Sequence, residues 1–219
     1  GGVLAEERRD LRGTVGAGRR RELAGVVARQ RRGREDGEDG ADAAHGARQG
    51  VGGAQKIRVH ERQVGSVSAG ELDAGLNHFW AQQLPLPSGE MVALQQFQGQ
   101  GRPLLVNFWA TWCPPCVKEL PLLDQLAQTQ AQAGGQGLRV LGIAADKAAN
   151  VTRWLQRQPL SFPVVIAETG GVALTRPLGN SNGGLPFSLL FDGAGQLKQR
   201  RIGAFTEEIL QRWTAAVAP

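Results

Sequence analysis

The feature that most constrains this chain is a cysteine pair set between an apolar run and a stretch of helical periodicity. Cys113 and Cys116 are the only two cysteines in 219 residues, and they follow the apolar run 104–108. From residue 114 to about residue 131, apolar side chains recur at helical spacing. The pattern predicts a buried strand that leads into a helix, with Cys113 at the helix N-terminus.

That position predicts redox chemistry. Unpaired backbone N–H groups and the helix dipole stabilise negative charge at a helix N-terminus, so the Cys113 thiolate becomes a usable nucleophile. Cys116 lies one turn later on the same face, within reach of a disulfide. Such a pair passes two electrons to or from the disulfide of another protein.

Three other roles compete with redox exchange for this pair. A structural disulfide between residues three apart closes too small a loop to stabilise much. A zinc site needs two more ligands, and the three histidines all lie N-terminal, so we expect no metal site. Cu(I) held by two thiolates is chemically feasible and stays an alternative.

The composition divides the chain near residue 70. Residues 1–70 contain no aromatic residue, proline, cysteine or methionine, and carry more basic than acidic residues. We predict a disordered Arg/Gly/Ala-rich segment there, because it lacks the apolar side chains that offset ordering entropy. Its bias also resembles translated GC-rich DNA upstream of a true start. Interleaved acidic residues and the lack of aromatics argue against nucleic-acid binding.

Residues 71–219 show the pattern of one domain of alternating strands and helices. We predict an amphipathic helix over 71–83, a β-hairpin around 87–90, strands over 104–108, 138–143 and 185–191, and helices over 114–131, 150–158 and 207–217. A hairpin partner over 196–202 completes the pattern. This alternation predicts an α/β domain with a mixed sheet and helices on both faces.

The segment from Val106 to Pro121 resembles the active-site segment of TlpA/ResA-type thiol–disulfide oxidoreductases. Distant markers agree: Gly184-Leu185-Pro186 and the Asp192-Gly193 turn. The resemblance covers about residues 76–217. It implies a thioredoxin-like fold with an N-terminal β-hairpin extension.

The resemblance also implies roles for single residues. Cys113 resembles the attacking thiol, exposed at the helix start, and Cys116 the more buried resolving thiol. Leu185–Pro186 resembles a cis-proline site that pairs with an extended substrate backbone. The remaining implied substrate contacts are Trp112, Pro114 and Pro115.

Two positions bear on proton transfer. Thioredoxins carry a buried Asp where this chain has Asn107, which cannot take a proton. Glu119 matches an acid of ResA-like proteins, and we expect it to accept the Cys116 proton; a surface ion pair is the alternative. We expect it to help most at low pH, where a water-borne base is scarce.

The implied function is reduction of protein disulfides, as in cytochrome c maturation or copper-centre assembly. The disulfide itself would carry the electrons with no cofactor, a membrane thiol reductant would act upstream, and the protein would be a monomer. The alternatives are a thiol peroxidase of the peroxiredoxin-related class and a Cu(I)-binding module. The family resemblance places the protein on the periplasmic side of the bacterial inner membrane, although no signal or anchor is visible.

Overall fold

A computed structural model describes residues 64–132 and 136–218. In this part of the chain, helices and strands alternate from end to end. The helices are α1 Ala69–Trp80, α2 Pro114–Ala131, α3 Ala148–Arg157, α4 Gly170–Thr175 and α5 Glu207–Ala215, with single 3₁₀ turns at Leu94–Phe97 and Arg176–Leu178. The strands are β1 Gln83–Pro85, β2 Met91–Ala93, β3 Leu104–Trp109, β4 Arg139–Ala144, β5 Val164–Ile166, β6 Phe187–Phe191 and β7 Leu197–Ile202.

Five strands form a mixed sheet in the order β5-β4-β3-β6-β7. β3 runs parallel to β4 and antiparallel to β6, so the central strand has one neighbour of each kind. β1 and β2 form a separate antiparallel hairpin. The mixed sheet and the N-terminal hairpin are as predicted.

The alternation of side chains along β3 divides the core into two layers. Leu105 and Trp109 face α2, α3 and α5, while Val106 and Phe108 face α1 on the other side of the sheet. All six residues of β3 are buried, as expected of a central strand covered on both faces. Helices therefore cover both faces of the sheet, which confirms the predicted architecture.

The domain begins earlier than the predicted boundary at residue 71. Ser68 caps α1 in a reciprocal capping box with Glu71, so the helix starts at Ala69 and ends at Trp80. The N–H of Gly65 donates to the carbonyl of Gly179 at 2.8 Å. The prediction of disorder over residues 1–63 lies outside the described residues.

α2 agrees with its predicted bounds at both ends. It continues without a break through Pro121, whose ring lies on the exposed side of the helix. A buried stripe of Cys116, Glu119, Leu120 and Leu123 faces the sheet. The helix thus carries the second cysteine and the predicted acid into the same buried layer.

Candidate active site

The two cysteines form a disulfide at the N-terminus of α2. Their sulfurs are 2.02 Å apart and their Cα atoms 5.3 Å apart. Cys113 is the N-cap residue, and Pro114 and Pro115 occupy the first two helical positions. Since proline has no N–H, the first free backbone donor of the helix belongs to Cys116. The predicted thiol position at a helix start is therefore confirmed.

The exposure of Cys113 differs from the prediction. In the disulfide form Cys113 is only 4% exposed, while Cys116 is fully buried. Cys113 is half of a bond that turns its sulfur toward Cys116, and it packs within the hydrophobic layer beneath α2. The exposed side chains beside it are Trp112, at 63%, and the two prolines. Trp109 is fully buried, as expected for a core residue.

The loop before the cysteines is held by Asp146, which follows β4. One carboxylate oxygen of Asp146 accepts from the backbone N–H and the hydroxyl of Thr111. The other oxygen accepts from the backbone N–H of Lys147 and from the Asn150 amide. Burial alone would raise the pKa of Asp146, but these hydrogen bonds outweigh it and hold that pKa below its usual value. Asp146 therefore stays ionised and ties Thr111, two residues before Cys113, to the sheet.

Glu119 lies buried at the centre of a polar network. It is 3% exposed, and its Oε1 accepts from the Asn107 amide at 2.8 Å. Its Oε2 accepts from the backbone N–H of Phe205 at 2.7 Å. The Asn107 amide also donates to the hydroxyl of Ser188, its cross-strand partner on β6. The alternative of a surface ion pair for Glu119 is therefore wrong.

The environment of Glu119 moves its pKa toward neutral pH. Burial raises its pKa from 4.5 to about 7. The hydrogen bonds from Phe205 and Asn107 and the attraction of Arg201 oppose this rise and limit it. Glu119 follows Cys116 by three residues on the buried face of α2, so both groups share one desolvated layer.

The cis-proline site predicted at Leu185–Pro186 has the expected backbone. The Leu185–Pro186 peptide bond is cis. Phe187, the next residue, pairs with Phe108 near the C-terminal end of β3, so the proline and the cysteines meet at one end of the sheet. The carbonyl of Pro186 accepts from Gly203, two residues before the Phe205 N–H that binds Glu119. Leu185 is half-buried and packs against the layer that contains both cysteines.

The structure thus brings the predicted cysteines, Glu119 and the proline to one end of the sheet. It adds Asp146 and Ser188, which the sequence analysis missed, because their partners are 35 and 81 residues away and leave no local pattern. No group of three or more potential metal-ligating side chains occurs within 64–132 or 136–218.

Comparison with known proteins places the chain in a family. A model of the AhpC/TSA family matches residues 77–200, which contain the cysteine pair, Glu119 and Pro186. The chain belongs to the AhpC/TSA family. A thiol-disulfide oxidoreductase ResA of Bacillus cereus is 31% identical over 133 residues, which are 60% of this chain and 71% of ResA. The thiol:disulfide interchange protein DsbE of Pasteurella multocida is 32% identical over 127 residues, 55% of this chain and 60% of DsbE.

A solved structure agrees with these relatives. The crystal structure of a thioredoxin-family thiol:disulfide interchange protein from Chlorobium tepidum TLS matches with a TM-score of 0.52 and 25% identity. The match covers 62% of this chain and 92% of that one. This member of the AhpC/TSA family therefore has a thioredoxin-like fold and is a thiol–disulfide oxidoreductase of the ResA type. None of the helices within the described residues is long and apolar enough to cross a membrane.

Proposed function

We propose that this oxidoreductase works as a reductant of specific protein disulfides, with Cys113 attacking and Cys116 resolving. The observation that supports it most is the disulfide at the N-terminus of α2 together with a buried carboxylate three residues after Cys116. In this proposal the Cys113–Cys116 disulfide alone carries the two electrons, and no cofactor takes part.

The reaction conserves atoms and electrons in two exchanges. The Cys113 thiolate attacks one sulfur of the substrate disulfide, forming a mixed disulfide and releasing the other sulfur as a thiol. Glu119 then takes the Cys116 proton, and the Cys116 thiolate attacks the Cys113 sulfur. The second substrate thiol leaves, and the enzyme keeps the Cys113–Cys116 disulfide. The substrate gains two electrons and the enzyme loses two.

The surface around the cysteines fits a protein substrate. Trp112 and Met91 are the large apolar side chains exposed within the described residues, and Trp112 is next to Cys113. Pro114 and Pro115 are exposed on the other side of Cys113. We propose that this apolar rim contacts the partner while its extended backbone lies along Leu185–Pro186.

The biological setting belongs to the same proposal. ResA and DsbE are relatives by sequence, and this relationship supports a reductant on the periplasmic side of a bacterial inner membrane. We propose that it acts as a monomer. A membrane thiol reductant would return the disulfide to the dithiol. The substrates would be the cysteines of apocytochromes c or of copper centres.

The nucleophile assignment has a direct test. In the reduced protein Cys113 should alkylate faster than Cys116 at pH 7, because only Cys113 is at the helix N-cap. Cys113→Ser should abolish insulin reduction, whereas Cys116→Ser should accumulate a mixed disulfide with a protein substrate. Alkylation rates and trapped complexes are measured by mass spectrometry.

Three further outcomes would distinguish the reductase from its alternatives and test the choice of nucleophile. Equal alkylation of both thiols would contradict the assignment of Cys113. Peroxide consumption that exceeds insulin reduction would replace the reductase with a peroxidase. Stoichiometric Cu(I) binding without insulin reduction would replace it with a copper-binding module.

A further inference from the structure

A second buried polar group, separate from the Glu119 network, lies in the loop that leads to the cis-proline. The side chain of Asn180 is fully buried. Its Oδ1 accepts from the backbone N–H of Gly184 at 2.9 Å, and its Nδ2 donates to the Gly184 carbonyl at 2.9 Å. Nδ2 also donates to the hydroxyl of Thr175 at 2.9 Å. The backbone of Gly184 fixes which end of the amide is which, since a carbonyl oxygen cannot accept from another.

This side chain closes the loop 180–184 upon itself. Both backbone hydrogen-bonding groups of Gly184 are taken by Asn180, and the Gly183 N–H donates to the Asn180 carbonyl. The Asn180 N–H in turn donates to the carbonyl of Thr175, at the end of α4. Gly184 is therefore anchored to α4 through one buried side chain, and the residue after Gly184 is Leu185.

Gly184, which Asn180 anchors, directly precedes Leu185–Pro186, the edge along which a substrate would lie. Leu185–Pro186 lies at the end of the sheet that carries the cysteines, since Phe187 pairs with Phe108. An extended substrate backbone must lie along Leu185–Pro186 at a fixed distance from the disulfide for sulfur to reach sulfur. A loop that moved at Gly184 would shift that edge without touching either cysteine.

We propose that Asn180 is a positioning residue for protein substrates: it holds Gly184 so that the Leu185–Pro186 edge is preformed for a docking strand. This inference rests on the proposed function. It assigns to Asn180 the productive binding of extended protein disulfides, and not the reactivity of Cys113. The rate of reaction with a small disulfide, which needs no docking strand, should therefore not depend on Asn180.

The experiment compares two substrates in one set of variants. Asn180→Asp keeps the shape of the side chain but loses the two N–H donors, and Asn182→Asp makes the same change at an exposed position in the same loop. Losing buried hydrogen bonds of ordinary strength should lower kcat/KM for insulin reduction about tenfold, mainly through KM. The rate with a small aromatic disulfide should stay within about twofold of wild type, and Asn182→Asp should match wild type on both substrates.

Each result decides the proposal. An equal loss on both substrates, or no loss on insulin in the folded variant, would overturn it. If Asn180→Asp fails to fold, Thr175→Val removes one bond to Asn180 and Thr175→Ser restores it. If Thr175→Val slows insulin reduction selectively and Thr175→Ser does not, the proposal is supported. If the ratio of the insulin rate to the small-disulfide rate is unchanged in Thr175→Val, the proposal is overturned. A wild-type enzyme that reacts only with the small disulfide would instead refute the proposed function.

Discussion

Glu119 is a buried carboxylate whose ionisation is unfavourable in the folded protein, and the proposed function gives it the role of a base. Its carboxylate is buried and accepts hydrogen bonds from the Asn107 amide and the Phe205 N–H, both of which are neutral donors. In such a place the charged form is penalised, and the pKa rises to about 7. Below that pH the protonated form of Glu119 predominates, so less of the base is present. This pKa favours a contribution at and above about pH 7 rather than at low pH, and the role of Glu119 stays a prediction.

The free energy of unfolding of the oxidised protein should depend on pH because of Glu119. Between pH 4.5 and about 7 the unfolded chain ionises Glu119 while the folded chain holds the proton. Its contribution is therefore fully present below pH 4.5 and is lost as the pH rises to about 7, a change of about 3 kcal/mol. Urea midpoints measured across this range should fall for wild type. Glu119→Gln should remove that slope, while the exposed Glu208→Gln should keep it.

The contribution of Glu119 to the rate of disulfide exchange should rise with pH, whereas its contribution to stability falls. Glu119→Gln should slow disulfide exchange most at and above pH 7, where wild type holds the ionised base, and the loss should shrink once Cys116 ionises unaided. A pH–rate profile of the reduced enzyme measures both limits. Profiles that superimpose for wild type and Glu119→Gln would remove this residue from the mechanism and leave water as the proton acceptor.

At the scale of elements, the loop between β3 and α2 is held by a residue that follows a neighbouring strand. Asp146, at the end of β4, binds Thr111 through two hydrogen bonds and the start of α3 through two more. Because β4 is the parallel neighbour of β3, this carboxylate reaches the cysteine loop from the adjacent strand. The loop that presents Cys113 is thus braced by the sheet.

Asp146→Asn should loosen this brace. It removes a charge that four donors satisfy, so stability should drop by about 1–3 kcal/mol. The alkylation rate of Cys113 in the reduced protein should change as well. Asp124→Asn is the matched control, because Asp124 on α2 likewise accepts from a backbone N–H and a hydroxyl, those of Ser161 in the loop between α3 and β5. Unaltered thiol reactivity in a destabilised Asp146→Asn would restrict this residue to a structural role.

The sequence predicted those elements whose signals are local. The strand predicted over 104–108, which the structure extends to Trp109, and the helix predicted over 114–131 both follow from apolar periodicity. Contacts between distant residues left no such signal. The binding of Glu119 to Phe205 joins residues 86 apart, and only the folded sheet brings them together. Ser68 and Glu71 form a capping box whose spacing is a local signal, and the predicted start of α1 at residue 71 did not include it.

At the scale of the whole molecule, the start of the folding unit lies before α1. Val64 packs with the layer beneath α1, and the Gly65 N–H binds the carbonyl of Gly179. Gly179 directly precedes Asn180, so residues 64–65 support the loop that leads to the cis-proline. Removing residues 1–70 as a block would therefore remove part of the domain along with the segment predicted to be disordered.

Two truncations should separate these parts. A chain that begins at Val64 should keep the cooperative melt and the full insulin reductase activity. A chain that begins at Gly70 loses the Ser68 cap, worth about 0.5–2 kcal/mol, and the Gly65 bond as well. Its thermal midpoint should fall, and insulin reduction should fall more than the reaction with a small disulfide.

Ser68→Ala in the chain from Val64 isolates the cap. This variant should lose stability but keep the wild-type ratio of insulin to small-disulfide activity, because Gly65 still supports Gly179. The ratio should change only when residues 64–65 are absent. A chain from Gly70 that matches the chain from Val64 in both melt and substrate ratio would place the start of the folding unit at α1. Gly65 would then have no part in holding the substrate loop.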